Sequence, residues 1–213
     1  MTAALLTLAD SRLPAGGHTH SGGVEQAIAA GAVADPGSLS TFLRRRLATS
    51  GAVAAGLAAA ACEAAGDRDR LARLDEEADA RTPSPALRAA SRQQGRGLVR
   101  VGRRAWPSEL WDVLPAQPHH PMALGVAAAA GGLTPRDAAS AAAYLSISGP
   151  ATAAQRLLAM DPLTVAAVTA RLTSVVDATV ETAIGVGLPA TSDPFLDLLA
   201  EVHAARKDRF FAS

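Results

Sequence analysis

Apolar residues recur along this chain at spacings of three and four, the period of an α-helix, over nearly its whole length. A short apolar helix covers Ala3 to Ala9, and the pattern returns near Gly22 with Val24, Ala27 and Ile28 on one face. Leu39, Phe42, Leu43, Leu47 and Ala54 mark a longer helix opening near Pro36, where Asp35 or Ser38 can accept orphan amide hydrogens. Asp67 to Arg81 alternates its charges around Leu71, Leu74 and Ala78 and reads as a surface helix. Thr82-Pro83-Ser84-Pro85 breaks the backbone; Ser84 then caps a helix running through Arg104, with Leu87, Leu98 and Val101 inward. A small-residue helix spans Met122 to Ala130. Thr134-Pro135-Arg136-Asp137 starts another that should reach Ser148, where Gly149-Pro150 ends or kinks it. Asp161-Pro162 opens a long helix containing Leu163, Val165, Val168, Leu172, Val175, Val176 and Val180. Its polar positions, Arg171, Asp177 and Glu181, are few, which predicts the central, most buried element of a bundle. From Thr191 the texture changes: Ser192 or Asp193 caps a final amphipathic segment with Phe195, Leu196, Leu198, Leu199 and Val202.

Composition sharpens this pattern into a fold class. About a quarter of the 213 residues are alanine and only 3% are aromatic, a balance that favours helix over strand. We expect a single all-α domain over residues 1–213, a bundle of about eight to ten helices. Burying an alanine removes little apolar area from water, so a second subunit is expected to cover part of the apolar surface, making a homodimer. Lys+Arg and Asp+Glu both total 20, giving a formal net charge of zero, which disfavours binding to nucleic acid or to an anionic membrane. Cys62 is the sole cysteine, so an intrachain disulfide is excluded and a reducing, cytoplasmic setting is the natural reading. Met1-Thr2-Ala3-Ala4 lacks the basic start of a secretory signal. The uncharged runs Leu47–Cys62 and Ala138–Gln155 make poor bilayer spans, being alanine-dominated, and the second contains Gly149-Pro150. A soluble protein is expected.

Candidate chemistry is sparse. There is no GxxxxGK[ST], HExxH or GxSxG, and Cys62 sits in an apolar helix where an inert thiol is expected. No catalytic residue, cofactor or metal-ligand set is therefore assigned. Of Arg44, Arg45 and Arg46, two should be solvated and one drawn inward. Arg88, Arg92, Arg96 and Arg100 form an i, i+4 row, open either to solvent, to carboxylates elsewhere in the fold or to an acidic or phosphate-bearing partner. Two alternatives stay open: a nickel-binding chaperone using His18, His20, His119, His120 and His203, and a small helical enzyme built on a buried arginine and histidine pocket. Between the first two helices lies Pro14-Ala15-Gly16-Gly17-His18-Thr19-His20-Ser21-Gly22-Gly23. Its four glycines admit positive φ and its proline fixes one φ, so it forms a recognition loop or a structural corner. At the other extremity three of the four phenylalanines cluster with arginines, the usual anchors of protein interfaces.

The stretch Leu8-x-Asp10-Ser11-x-Leu13-Pro14-x-Gly16-Gly17-x-x-His20-Ser21-Gly22-Gly23-x-Glu25 resembles the N-terminal signature of the UreF family of urease accessory proteins. The likeness continues in order through His120-Pro121-Met122-Ala123-Leu124-Gly125, Ala143-Tyr144-Leu145 and Ala153-Ala154-Gln155-Arg156-Leu157. It ends in Leu196-Asp197, His203 and Arg209-Phe210-Phe211-Ala212-Ser213. The chain departs from the family at Leu158-Ala159-Met160-Asp161-Pro162-Leu163-Thr164, where many members carry Pro-Leu-Gly-Gln-x-x-Gly-Gln, and at Ala204, often a glutamate. The resemblance implies an all-helical, non-catalytic accessory protein that dimerises, binds the UreD/UreH accessory protein and helps recruit the nickel-carrying GTPase UreG to apo-urease. It also implies a partner-facing N-terminal segment, residues 1–25, and a partner-facing tail, residues 191–213. Pro14, Gly17, His20, Ser21, Gly22, Gly23 and Glu25 would then lie at or behind one interface, and His203, Arg209, Phe210, Phe211 and Ser213 at another.

Overall fold

The computed structural model describes residues 3–10, 13–15, 17–185 and 187–213, and among them it contains helices, turns and loops but no strand. Eleven α-helical segments succeed one another: α1 (Ala3–Leu8), α2 (Val24–Ala29), α3 (Pro36–Arg46), α4 (Ala52–Glu63), α5 (Arg68–Ala80) and α6 (Pro85–Ala105). Then come α7 (His120–Ala130), α8 (Pro135–Leu157), α9 (Pro162–Ala170), α10 (Thr173–Gly185) and α11 (Pro194–Ala205). A π-turn, Leu47–Gly51, carries α3 into α4, and α9 and α10 share one bent rod, so the segments make nine rods. The all-α expectation holds.

The starts are where side-chain chemistry placed them. Asp35 and Ser38 cap α3 reciprocally, Thr134 and Asp137 do the same for α8, and Ser84 accepts from Leu87 N–H at the head of α6. In each case proline occupies the first helical turn, where its missing N–H costs nothing. The centre of the bundle is α4, packed between α7 and α8. Small residues allow that approach: a Cβ on Gly125 would stand 2.4 Å from the Ala58 carbonyl oxygen of α4, so only glycine fits at the crossing.

The rod from Pro162 to Gly185 is not the most buried element; α4 and α7 are. It contributes one stripe, Val165, Val168, Leu172, Val176, Val180 and Ala183, while Leu163 is 80% exposed and Ile184 partly so. The expectation failed because Ala166, Ala170 and Ala178 on the outer face, with Leu163 and Ile184, look apolar in sequence yet cost little when solvated. This rod is also the one helix, among the described residues, long and apolar enough to cross a membrane by length and composition; α10 packs on α4 and α8. A second departure concerns α8, which runs through Pro150 to Leu157 instead of stopping at Ser148. The reason lies in Arg46.

Candidate partner-docking site

The two sequence motifs singled out at opposite extremities meet. Glu25, on α2, is 4% exposed, and its carboxylate accepts three hydrogen bonds: His203 Nε2 at 2.9 Å, Phe210 N–H at 2.8 Å and Phe211 N–H at 3.0 Å. Burial alone would raise its pKa; the bonds from His203 and from the two amides outweigh that and hold it below the ordinary value. His203 occupies the buried stripe of α11 with Leu196, Leu199 and Ala200, which delivers its imidazole to Glu25. Beyond α11 the chain turns back over the glycine-rich loop. Ala212 N–H donates to Thr19 O at 2.7 Å, Ser21 N–H donates to Ser213 O, and His20 Nδ1 shares a 2.6 Å hydrogen bond with Ser213 Oγ. Arg206 adds a bond from Nη1 to Gln26 Oε1 at 3.0 Å. The tail and the loop form one clasp, with each supplying the other's missing partners.

Within that clasp the residues divide cleanly. His20, Ser21, Glu25 and His203 are buried and hold it shut, whereas Pro14, Gly17, Arg209 and Phe210 face outward, Phe210 with 86% of its surface exposed. Phe211 turns inward against the core, and Ser213 is half-buried. Sequence reasoning divided these residues between two interfaces; the structure joins the loop and the tail in one clasp, part of it buried and part exposed. Gly22 and Gly23 adopt φ of +61° and +87°, whereas Gly17 does not enter the left-handed region and Gly16 lies outside the described residues.

Beneath the clasp sits Arg46, at the C-terminal end of α3. Its Nη1 donates to Gly22 O at 2.6 Å and its Nε to Ser146 O at 3.0 Å. Ser146 O is the helical acceptor that Pro150, four residues on, cannot serve because it has no N–H. A side chain from another helix replaces the lost bond, and α8 continues. Gly22 packs so closely here that a Cβ would stand 2.8 Å from Pro150 Cγ and 3.3 Å from Arg46 Cζ, so neither its positive φ nor its surroundings admit a larger residue. Arg44 and Arg45 are the solvated members of the triplet; Arg45 pairs with Asp193 and lies 5.1 Å from the Phe195 ring centroid. Burial lowers the pKa of Arg46 to about 10, which leaves it charged at neutral pH.

The histidine pair diverges. His119 is 1% exposed, with Nε2 bonded to Asp79 at 2.8 Å and Nδ1 to Ser91 Oγ at 3.0 Å. His120 instead lines the space under the clasp with His20, and burial, helped by the charge of His20, pushes its pKa down to about 4. Among the described residues no three His, Cys, Asp or Glu side chains gather as a metal site would require. The carboxylate, imidazole and hydroxyl of Asp79, His119 and Ser91 have the order of an acyl-transfer triad, yet each end is committed elsewhere. Asp79 also takes Arg92 Nη2 at 2.6 Å, and Ser91 Oγ accepts His120 N–H at 3.1 Å. This network ties α5, α6 and α7 together, with Asp75 bridging Arg92 and His119 N–H. It answers part of the arginine row: Arg92 meets carboxylates of the fold, Arg96 bonds Gln117 Oε1, Arg88 donates to the Thr82 and Pro83 carbonyls, and Arg100 faces solvent. Asp75 was readable as internal, since it falls between Leu71 and Ala78 on the buried stripe of α5. Cys62 is buried, and burial raises its thiol to about 11, an unreactive group.

Comparison with known proteins agrees with the motif reading. A sequence profile described as UreF matches residues 33–173. A urease accessory protein UreF from Mycolicibacterium vanbaalenii is 53% identical over 216 residues, covering 99% of this chain and 98% of the relative. Another from Mycobacterium marinum is 52% identical over 213 residues with the same coverage, and one from Mycobacterium tuberculosis is 47% identical over 213 residues, again covering 99% and 98%.

Proposed function

Since the chain belongs to the UreF family of urease accessory proteins, we propose that it serves urease maturation as a non-catalytic, cytoplasmic scaffold whose docking surface is the clasp between loop and tail. In this reading a homodimer binds the UreD/UreH accessory protein through that surface and helps recruit the GTPase UreG for nickel insertion into apo-urease. One observation carries it. Phe210 projects an almost fully exposed aromatic ring while its own amide is bonded to a buried carboxylate, an anchor whose backbone is already positioned. Arg209, its exposed neighbour in the chain, adds a charged group beside it.

Co-purification with UreD/UreH tests the reading, using the full chain, Phe210→Ala and a chain lacking residues 206–213. Phe210→Ala leaves the hydrogen bonds of the clasp in place, so it is expected to fold normally and to lose partner affinity at least tenfold. The truncated chain is expected to lose capture altogether. Undiminished capture by both variants overturns the assignment of the surface. GTP turnover measured in the assembled complex with and without this chain decides whether it also regulates the GTPase.

A further inference from the structure

Under the clasp lie two adjoining cavities, of about 380 Å³ and 220 Å³, which share Gly22, Arg46, Gln94, Leu145 and His120 in their walls. A guanidinium carries five N–H donors. Arg46 spends two of them on the Gly22 and Ser146 carbonyls, and among the described residues no carboxylate pairs with it. Three donors and a full positive charge therefore remain without an acceptor among the described residues. Arg46 is half-buried, and a guanidinium with free donors turned to a cavity and no counter-ion beside it is a place where an anion can bind.

The rest of the larger cavity fits such an anion. His20 and His120 contribute neutral imidazoles, and among the described residues the ring of His120 has no hydrogen-bond partner. Ser148 carries a buried hydroxyl with no partner, and Arg156 brings a second guanidinium; Asp10 is the one carboxylate among the described lining residues. The remaining wall is apolar, formed by Leu98, Leu124, Leu145 and Phe211 among others. A charged donor at one side of an apolar chamber in the size range of ligand pockets selects a molecule with one anionic end and a hydrocarbon body. We propose that this cavity is a binding site for a small organic monocarboxylate, its carboxylate on Arg46 and its apolar part between α6, α7 and Phe211. Occupancy would brace the tail from beneath, because Phe211 is both a wall of the cavity and a member of the clasp. The proposal does not rest on the docking role and is tested apart from it: partner capture can fail while the cavity binds, and the reverse.

Benzoate titrated into the purified full chain by calorimetry tests this, with benzamide as its neutral isostere. The expected result is one saturable site per chain with a dissociation constant of about 1 mM or tighter, at least tenfold weaker binding of benzamide, and at least tenfold loss in Arg46→Gln. Slower hydrogen exchange at the Phe211 amide is expected on saturation. Absence of saturable benzoate binding, or benzamide binding as tightly as benzoate, overturns the proposal without recourse to a variant. A folded Arg46→Gln protein that binds benzoate unchanged overturns it as well.

Discussion

Ala159 is the one non-glycine residue, among those described, with a positive φ, at +47°. It follows α8, where Met160 N–H reaches back to Gln155 O, the arrangement of a helix terminus that favours glycine. Its side chain is exposed, so nothing is gained by keeping the methyl group. Ala159→Gly is expected to raise stability by about 0.5–1 kcal/mol, the left-handed penalty less the entropy of a freer unfolded chain, with a melting temperature about 2 °C higher by calorimetry. This position falls in the stretch where the chain departs from its family's pattern, and the departure was legible while its conformation was not. The sequence also pointed to Glu25 and His203 as motif residues, but their pairing across 178 positions needed the fold to reveal it. A period-three-and-four pattern says which face is buried, never which helix it will meet.

At the scale of elements, the passage of α8 through Pro150 depends on a side chain from α3. Arg46→Leu removes two hydrogen bonds to buried carbonyls and is expected to cost about 2–3 kcal/mol in urea unfolding. In a Pro150→Ala background the new N–H can serve Ser146 O, so the same substitution should cost about 1 kcal/mol less, a coupling that a double-mutant cycle reads directly. The bent rod of α9 and α10 offers a contrasting pair. Leu163→Ser, on the solvated face, is expected to change stability by less than about 0.5 kcal/mol, whereas Leu172→Ala, fully buried, should cost about 2–4 kcal/mol. Element limits followed from caps and prolines, as at Asp35, Ser84 and Thr134. What misled was interior rank: hydrophobicity summed along the rod hid the fact that only one stripe of it points inward.

For the molecule as a whole, acid is the natural probe. Burial holds His20 and His120 near 4, below the ordinary histidine value of 6.5, so the unfolded chain binds protons that the folded chain refuses between those limits. Stability is therefore expected to fall as pH drops from about 6.5 towards 4. Glu25 is depressed too, so its contribution stands above pH 4.5 and is lost as pH falls through its lower folded value. Thermal melts across this range should show the decline beginning near 6.5, and His120→Gln should flatten its upper part; an unchanged profile in that variant contradicts the assignment.

The clasp joins stretches of chain that leave the ribosome at very different moments. Residues 206–213 emerge some 190 positions after the loop they cover, and at about 5–20 residues per second that is an interval of roughly 10–40 s. Throughout it, Glu25 lacks its amide partners and the exposed Phe210 does not yet exist. A polypeptide terminated before residue 206 would lack every tail bond to Glu25, Thr19 and Ser21, so the clasp is a feature of the finished chain alone.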